Sequence, residues 1–567
     1  MTALLTNNLS LLAGAQNGVK KLRELILELA VRGKLVPQDP DDEPASELLM
    51  RIAEAKARLV ADGLIKKQKP LAEVGEEAEP FELPAGWKWS SLSKVAFVNP
   101  RNAAADSLEV SFVPMTFIGT RFDDRHAQEP RLWGEVKQGF THFAEGDIGV
   151  AKITPCFENS KACVFFNLKN GLGAGTTELH IVRPITGTLD PRYVLAYLKS
   201  PQFLLVGGTK MTGTAGQKRL PKDFVEANPF PVPPLAEQHR IVAKVDELMA
   251  LCDRLEAQQA GAESAHAQLV HVLLDSLTQT SDATDFAANW QRLAEHFHTL
   301  FTTETSIDAL KQTLLQLAVM GKLVPQDPSD ASTELLIKKL ISKRRSTSKR
   351  SEKKETALQA VELIHPFQAP TTWNWVKLGD IYEIQRGSSP RPKGDPRYFS
   401  SSPTKNHWIK ISDMSSRCLD GVLLSTDEYL TDEGASHSRF VTPSDIIIAV
   451  SGSVGKTRKL GISGYIYDGL IAIKSIEDET MKDYLYIYFQ VMEADLLGAS
   501  TGSAWKNINT AIANAMPVPI PPIPEQHRIV AKVDQLMTLC DQLKTRLTQA
   551  RQLNEQLAST LAEQAVA

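Results

Sequence analysis

The stretch Pro233-Pro-Leu-Ala-Glu-Gln-His-Arg-Ile-Val-Ala-Lys-Val-Asp-Glu-Leu-Met-Ala-Leu-Cys-Asp-Arg-Leu255 returns 288 residues later as Pro521-Pro-Ile-Pro-Glu-Gln-His-Arg-Ile-Val-Ala-Lys-Val-Asp-Gln-Leu-Met-Thr-Leu-Cys-Asp-Gln-Leu543, with eighteen of 23 positions identical. Both copies read as the start of a helix. Each proline fixes φ and disfavours helix in the residue before it, so the lead-in is extended. Glu237 and Glu525 then fall in a first helical turn, where the positive end of the peptide dipoles favours a carboxylate. Apolar residues follow at helical spacing: Ile241, Val245, Leu248, Cys252 and Leu255, and again Ile529, Val533, Leu536, Cys540 and Leu543. No glycine or proline interrupts the second copy after Glu525, and the first runs to about Leu277 with only Gly261 inside it. A helix of ~40 residues is roughly 60 Å long and cannot bury its apolar stripe alone. The simplest partner is its own repeat. Glu237, Arg240, Ile241, Val245 and Leu248, with Glu525, Arg528, Ile529, Val533 and Leu536, are therefore expected to pair the helices or to meet a partner protein.

A second repeat precedes each copy. Leu29–Pro40 matches Leu317–Pro328 at 11 of 12 positions, again 288 residues apart. Residues 15–33 read as a helix with Val19, Leu22, Ile26 and Leu29 on one face and Gly33 just past its end. A second helix is expected from about Ala45 to Leu59. Charged segments follow, Lys66–Glu79 and Lys343–Glu355, the latter with seven basic residues between 343 and 354. Tryptophan pairs then mark entry into two globular parts. Alternation places Trp87 and Trp89 on one face of a strand, and Trp373 and Trp375 mark the second entry. About 140 residues of mixed pattern follow in each half. Ile148–Ile153 and Ile446–Val450 read as strands after an aspartate turn (Asp147, Asp445), Tyr193–Leu198 and Tyr484–Phe489 as helices.

The fold class is α/β (α+β-like). Two globular domains are separated by two long helices, in a tandem repeat with pseudo-twofold symmetry. The expected boundaries are 1–80 for an N-terminal helical region, 81–232 for the first globular domain and 233–365 for the central helical region. In the central region the long helix is 235–277, and the N-terminal helical unit is repeated after it. The second globular domain is 366–520 and the final helix 521–567. The helical frames are nearly identical and the inserts have diverged to landmarks. Identical frames imply one partner docking twice, and divergent inserts imply two targets.

The 63 basic and 67 acidic residues leave a formal charge of −4, which averages over domains and says nothing of patches. Five cysteines, Cys156, Cys163, Cys252, Cys418 and Cys540, form no CxxC pair and suit reduced thiols. No apolar run reaches membrane-span length, and the first residues lack the charged start of a secretory signal. A cytoplasmic protein is expected.

Gly452-Ser-Val-Gly-Lys-Thr457 looks like a phosphate loop, but Val450 stands where GxxxxGK[ST] needs glycine, and the residues after Thr457 are not helical. It reads better as a turn exposing Ser451, Ser453, Lys456 and Thr457. In the first half Lys152-Ile-Thr-Pro-Cys-Phe-Glu-Asn-Ser-Lys161 takes the matching place and offers Lys152, Thr154, Asn159 and Lys161. Glycine loops follow: Gly213 with Gln217, Lys218 and Arg219, and Gly502 with Ser503, Trp505, Lys506 and Asn507. Gln and Asn can pair bidentately with adenine, Arg and Lys with guanine, and glycine lets backbone approach closely. The same loops also suit ordinary solvated turns, and the basic run at 343–354 suits a linker. His239 and His527 each lack a neighbour at metal-ligand spacing, so no metal is expected. No catalytic signature is present: no GxSxG, no HExxH, no glycine fingerprint and no Asn/Asp-Pro-Pro-Tyr/Phe segment.

With the repeated Pro-Pro-x-x-Glu-Gln-His-Arg-Ile-Val starts around two divergent inserts, the chain resembles a type I restriction–modification specificity (S) subunit over essentially its whole length. Gly146-Asp-Ile148 and Thr154-Pro-Cys-Phe-Glu-Asn159 look like segments of that family's target-recognition domains. The resemblance implies a non-catalytic reader of double-stranded DNA. Each domain would read half of a bipartite asymmetric site. The two long helices would pair antiparallel, set the gap and dock two methyltransferase (modification) subunits, and restriction and motor subunits would join the full complex. It implies no cofactor on this chain, with S-adenosylmethionine, ATP and Mg on the partner subunits. Two other readings stay open: a self-sufficient methyltransferase or nuclease, and a coiled-coil protein scaffold.

Overall fold

The computed structural model describes residues 14–15, 17–62, 79–122, 125–214, 216–280, 283–347, 367–476, 478–498 and 509–566. The chain divides into two units, Met1–Glu263 with Gln549–Ala567, and Ser264–Thr548.

In the first unit helix α1 spans Gly18–Val31 and α2 Ala45–Ala61. The first helix stops at Gly33, whose φ of +68° is the left-handed conformation a side chain disfavours. Ten strands follow: β1 Lys88–Ser91, β2 Ala96–Val98, β3 Glu109–Val113, β4 Glu129–Leu132, β5 Thr141–Ala144, β6 Ile148–Ala151, β7 Ala162–Val164, β8 Leu172–Gly175, β9 Leu179–Pro184 and β10 Pro229–Val232. They form two four-stranded sheets, β2-β9-β6-β7 and β4-β3-β8-β5, and a separate ribbon of β1 and β10. The β1–β10 register is antiparallel, Lys88 against Val232 and Ser91 against Pro229, so the domain enters and leaves the frame through one two-stranded neck.

The neck explains the prolines before the long helix. Backbone groups of residues i and i+2 point to the same edge of a strand. Pro229 and Pro231 therefore strip one edge of N–H donors and leave carbonyls, as suits an edge position. Helix α3, Pro191–Leu198, answers that edge: Tyr193 Oη donates to Pro231 O (3.0 Å) and Tyr197 Oη to Pro229 O (2.8 Å). Helix α4, Leu235–Gln279, begins directly after β10 and continues unbroken through Gly261.

The second unit holds the rest of α4 and helices α5 (Ala283–Glu295), α6 (Phe297–Leu300), α7 (Glu304–Val319) and α8 (Thr333–Thr347). Its strands are β11 Asn374–Lys377, β12 Glu383–Arg386, β13 Phe399–Ser400, β14 His407–Ile409, β15 Cys418–Leu419, β16 Val422–Leu423, β17 Glu428–Leu430, β18 Arg439–Val441, β19 Ile446–Ala449, β20 Thr457–Leu460, β21 Gly464–Ile466, β22 Leu470–Lys474 and β23 Pro517–Ile520. The sheets run β12-β22-β19-β20-β16-β15 and β13-β17-β14-β21-β18, and β11 pairs with β23 as a neck. Within them β12-β22-β19-β20 repeats the order β2-β9-β6-β7, and β17-β14-β21-β18 repeats β4-β3-β8-β5. Even the parallel pair recurs, β3·β8 and β14·β21. The inserts thus share a topology that their sequences barely show. Helix α9, Glu479–Gly498, supplies Tyr484 and Tyr488 to the carbonyls of Pro519 (2.9 Å) and Pro517 (2.6 Å). Helix α10, Ile523–Val566, follows β23.

Three expectations are corrected. Trp87 does not share a strand face with Trp89; it precedes β1 and is buried, whereas Trp89 is half-buried against Phe81. The apolar stripes that open α4 and α10 are not buried by helix pairing alone. Ile241, Val245 and Leu248 lie in a core with α1, the first domain and the end of α10 (Ala558 and Ala565), and Ile529 and Val533 in one with α7 and the second domain. Leu536 packs further along, in a cluster with Leu310, Leu314 and the distal α4 residues Val270, Leu274 and Leu277. The reason is local: the chain leaves the neck straight into the helix, so the first turns are already walled in by the domain they terminate. Lastly, part of the basic run is structural. Arg344 donates to the carbonyls of Gly379 and Tyr382 (3.0 Å each), as Lys56, its counterpart 288 residues earlier, does to Ser93 and Ala96. Residues 348–354 lie outside the described residues, as do 66–78.

Candidate nucleic-acid interface and the joint beneath it

In the first domain the two predicted loops lie side by side. Leu220 N donates to Lys152 O (2.7 Å), Thr154 N to Lys218 O (3.0 Å) and Lys218 N to Thr154 Oγ1 (3.1 Å). Ile153 and Arg219 form an isolated bridge, as do Thr212 and Arg219. The turn between depends on Gly213, at φ +127°, where a Cβ would stand 2.8 Å from Gln217 O. Asn159, Gln217 and Lys218 are exposed. Two cations are committed elsewhere: Lys161 Nζ donates to Met115 O (3.0 Å), and Arg219 forks onto Glu178 (2.9 Å). That fork holds the Glu178 carboxyl below its usual range. Glu178 is the residue that sequence reading missed, because nothing local marks a carboxylate 41 residues from its arginine.

In the second domain Ser451, Gly452 and Ser453 form an exposed turn between β19 and β20, with Gly452 at φ +72°. Ser451 Oγ lies 3.2 Å from Tyr467 Oη, and Lys456 Nζ donates to Ser415 Oγ. Thr457 is corrected: it opens β20, is fully buried, and donates to Gly455 O (2.9 Å), because strand pairing with Ile448 draws it inside. Gly502, Ser503, Trp505, Lys506 and Asn507 lie outside the described residues. The aspartate turns are structural. Asp147 accepts from Ala144 N (2.7 Å) and Arg183 (2.7 Å), and Asp445 from Thr442 N (2.8 Å) and Lys474 (2.5 Å).

Below each domain a second constellation replaces the expected partner face. Trp87 Nε1 donates to Glu237 Oε2 (2.8 Å), and Gln38 Nε2 donates both to Glu237 Oε1 (3.1 Å) and to Gly33 O (2.7 Å). In the second unit Trp373 Nε1 donates to Glu525 Oε2 (2.9 Å), and Gln326 to Glu525 Oε1 and Gly321 O. Arg240 pairs with Asp42 (2.5 Å) and Arg528 with Asp330 (2.7 Å). Gln238 accepts from Asp190 N (2.9 Å) and donates to Pro233 O (3.0 Å). The Glu-Gln of each helix start is therefore an internal joint. Its other half was legible in the recurring Gly-Lys-Leu-Val-Pro-Gln-Asp-Pro segments, but spacing alone did not show which glutamate that glutamine meets.

A family model described as "Type I restriction modification DNA specificity domain" matches residues 370–551. The chain is 45% identical to the type I restriction enzyme EcoEI specificity subunit of Escherichia coli, over 97% of this chain and 94% of that one. The chain belongs to the type I restriction enzyme specificity subunits. Identity to the EcoAI specificity subunit of the same organism is 43%, with the same coverage. A solved chain described under "Structural basis underlying complex assembly and conformational transition of the type I R-M system" covers 86% of this specificity subunit and 99% of its own length, at 19% identity and a TM-score of 0.50, which shows a shared fold. No helix among the described residues is long and apolar enough to cross a membrane.

The joint carboxylates give the specificity subunit a pH signature. Burial pushes the Glu237 carboxyl up against the pull of Trp87 and Gln38, and Glu525 likewise against Trp373 and Gln326. The folded chain therefore holds these protons more tightly than the unfolded chain. Stability from this source is full below the usual carboxylate range and falls as pH rises from there through the raised values. In a Glu237→Gln/Glu525→Gln variant, thermal melting should decline less between pH 4.5 and pH 8 than in the native chain. Parallel pH profiles would contradict the assignment.

Proposed function

We propose that this specificity subunit is a non-catalytic reader in which each globular domain recognises one half of a bipartite, asymmetric site on double-stranded DNA. The frame helices hold the two domains apart and dock two methyltransferase subunits, with restriction and motor subunits completing the assembly. The frames would then follow a pseudo-twofold arrangement that lets one partner bind twice. S-adenosylmethionine, ATP and Mg would belong to those partners.

One observation carries this reading: two domains of the same strand order present different polar loops on near-identical frames. Exposed Gln217 and Lys218 in one, and Ser451 and Ser453 in the other, suit base edges and phosphates. Because the chain enters and leaves each domain side by side through one neck, residues 81–232 can be exchanged for the equivalent part of another specificity subunit with both junctions on the same side of the domain. The expected outcome, read by sequencing methylated genomic DNA from cells carrying the complete system, is a new sequence in one half-site with the other half-site unchanged. A change in both halves, or in neither, would defeat the modular reading. Methyl transfer by the isolated chain would favour a self-sufficient enzyme.

A further inference from the structure

Glu237 and Glu525 are each 1% exposed, and burial of a carboxylate costs free energy that an apolar seam would not. The same three residues, tryptophan, glutamine and glutamate, nevertheless occur in both units beneath domains that otherwise differ. They join the loop after the first frame helix, the entry to the domain and the first turn of the spacer helix. All covalent connection between domain and frame passes through the adjacent neck, so rotation of the domain about that neck is opposed by the shared apolar core, which sets no hydrogen-bond direction, and by the directional bonds of this joint. Two further ties lie beside it, Arg240 to Asp42 and Gln238 to Asp190 N.

We propose that the Trp87–Glu237–Gln38 and Trp373–Glu525–Gln326 joints are positioning devices that determine which spacing between half-sites the subunit accepts, by fixing the angle of each reading domain on its own spacer helix. The inference rests on the bipartite reading above. Adding one base pair between half-sites moves the second half-site by ~3.4 Å along the axis and turns it by about 35° around it. A domain fixed in angle cannot follow that rotation, whereas a domain free to swivel on its neck can. Helix length then sets the coarse distance and the joint sets how strictly it is enforced.

The test uses the specificity subunit assembled with its methyltransferase partners and labelled S-adenosylmethionine. Substrates are duplexes with the native site, the native half-sites separated by one base pair more or fewer, and the native spacing with single base changes in either half. Glu237→Ala is expected to reduce the preference for native over altered spacing about tenfold, the scale of one hydrogen bond to a charged group, while half-site preferences persist. Glu237→Gln, which keeps an acceptor for Trp87, should retain the native preference. Trp87→Phe removes the indole donor while keeping an aromatic ring, and serves where the alanine variant does not assemble; a shift in the same direction of about tenfold or less is expected from losing one bond to the carboxylate. Unchanged spacing preference in the variants overturns the inference, as does a parallel loss of spacing and half-site preference, which marks simple destabilisation. A native complex with no bipartite preference overturns the underlying reading of function instead.

Discussion

Gly33→Ala will open the first frame helix from its domain and cost about 2–5 kcal/mol locally, the combined scale of a left-handed alanine and of overpacking. Gly33 has φ +68°, and a Cβ there would stand 2.4 Å from Pro84 Cγ and 3.1 Å from Trp87. Pro84 and Trp87 form the entry to the domain, so neither can withdraw without disturbing the joint. The two penalties are separable. Gly33→Asn accepts the left-handed backbone at lower strain but still carries a Cβ. If close approach dominates, asparagine will be nearly as damaging as alanine, and Pro84→Ala will partly rescue either. Amide hydrogen exchange on the full chain reads the result: protection at Leu25–Val31 should fall by a factor of roughly 30 to several thousand for that cost. Native-like protection would show that the frame and domain entry are not coupled at this point. Gly321, at φ +70° and 2.4 Å from Pro370 Cγ, should behave identically in the second unit.

Gln217→Ala will relax selectivity at one base pair of one half-site by about 1–3 kcal/mol, leaving the other half-site as strict as before. The side chains of Gln217 and Lys218 are exposed and make no hydrogen bond among the described residues, on a turn that Gly213 and the Thr154–Lys218 pair hold in shape. They differ in kind from Arg219, which is held by Glu178. An amide that satisfies two groups on a base edge carries sequence information, while an ammonium on phosphate carries little. Lys218→Ala is therefore expected to weaken binding evenly across sequences and to lower the salt slope by about 1. Equilibrium binding of the assembled complex to duplexes substituted at each position, over a range of salt, separates these outcomes. Uniform loss with Gln217→Ala, or altered base preference with Lys218→Ala, would reverse the assigned roles.

The secondary structure of the frames was legible because it depends on local physics. Proline lead-ins, a first-turn glutamate and a 3.6-residue apolar period predict α4 and α10, and Gly33 marks the end of α1. Repetition supplied the architecture, since two near-copies of a frame around unlike inserts need no geometry to be recognised. What lies opposite the apolar stripe was not legible. Periodicity shows that Ile241 and Val245 must be buried but not against what, and the other copy's helix supplies only part of their core, with α1 and the first domain supplying the rest.

The same limit governs the site. Exposed loops were found from glycine and polar residues, yet which cations are free was decided across the sheet by Glu178 and Met115 O. Thr457 reads locally as a loop residue, but strand pairing, a non-local contact, draws it inside. By itself the sequence determined the repeat, the helices and the family resemblance, all of which follow from local propensity or self-comparison. Only the tertiary structure decided that Glu237 and Glu525 face inward onto Trp87 and Trp373 rather than outward to a partner. Burial and hydrogen-bond partners across 150 residues of chain depend on how the neck closes, and no short-range pattern encodes that.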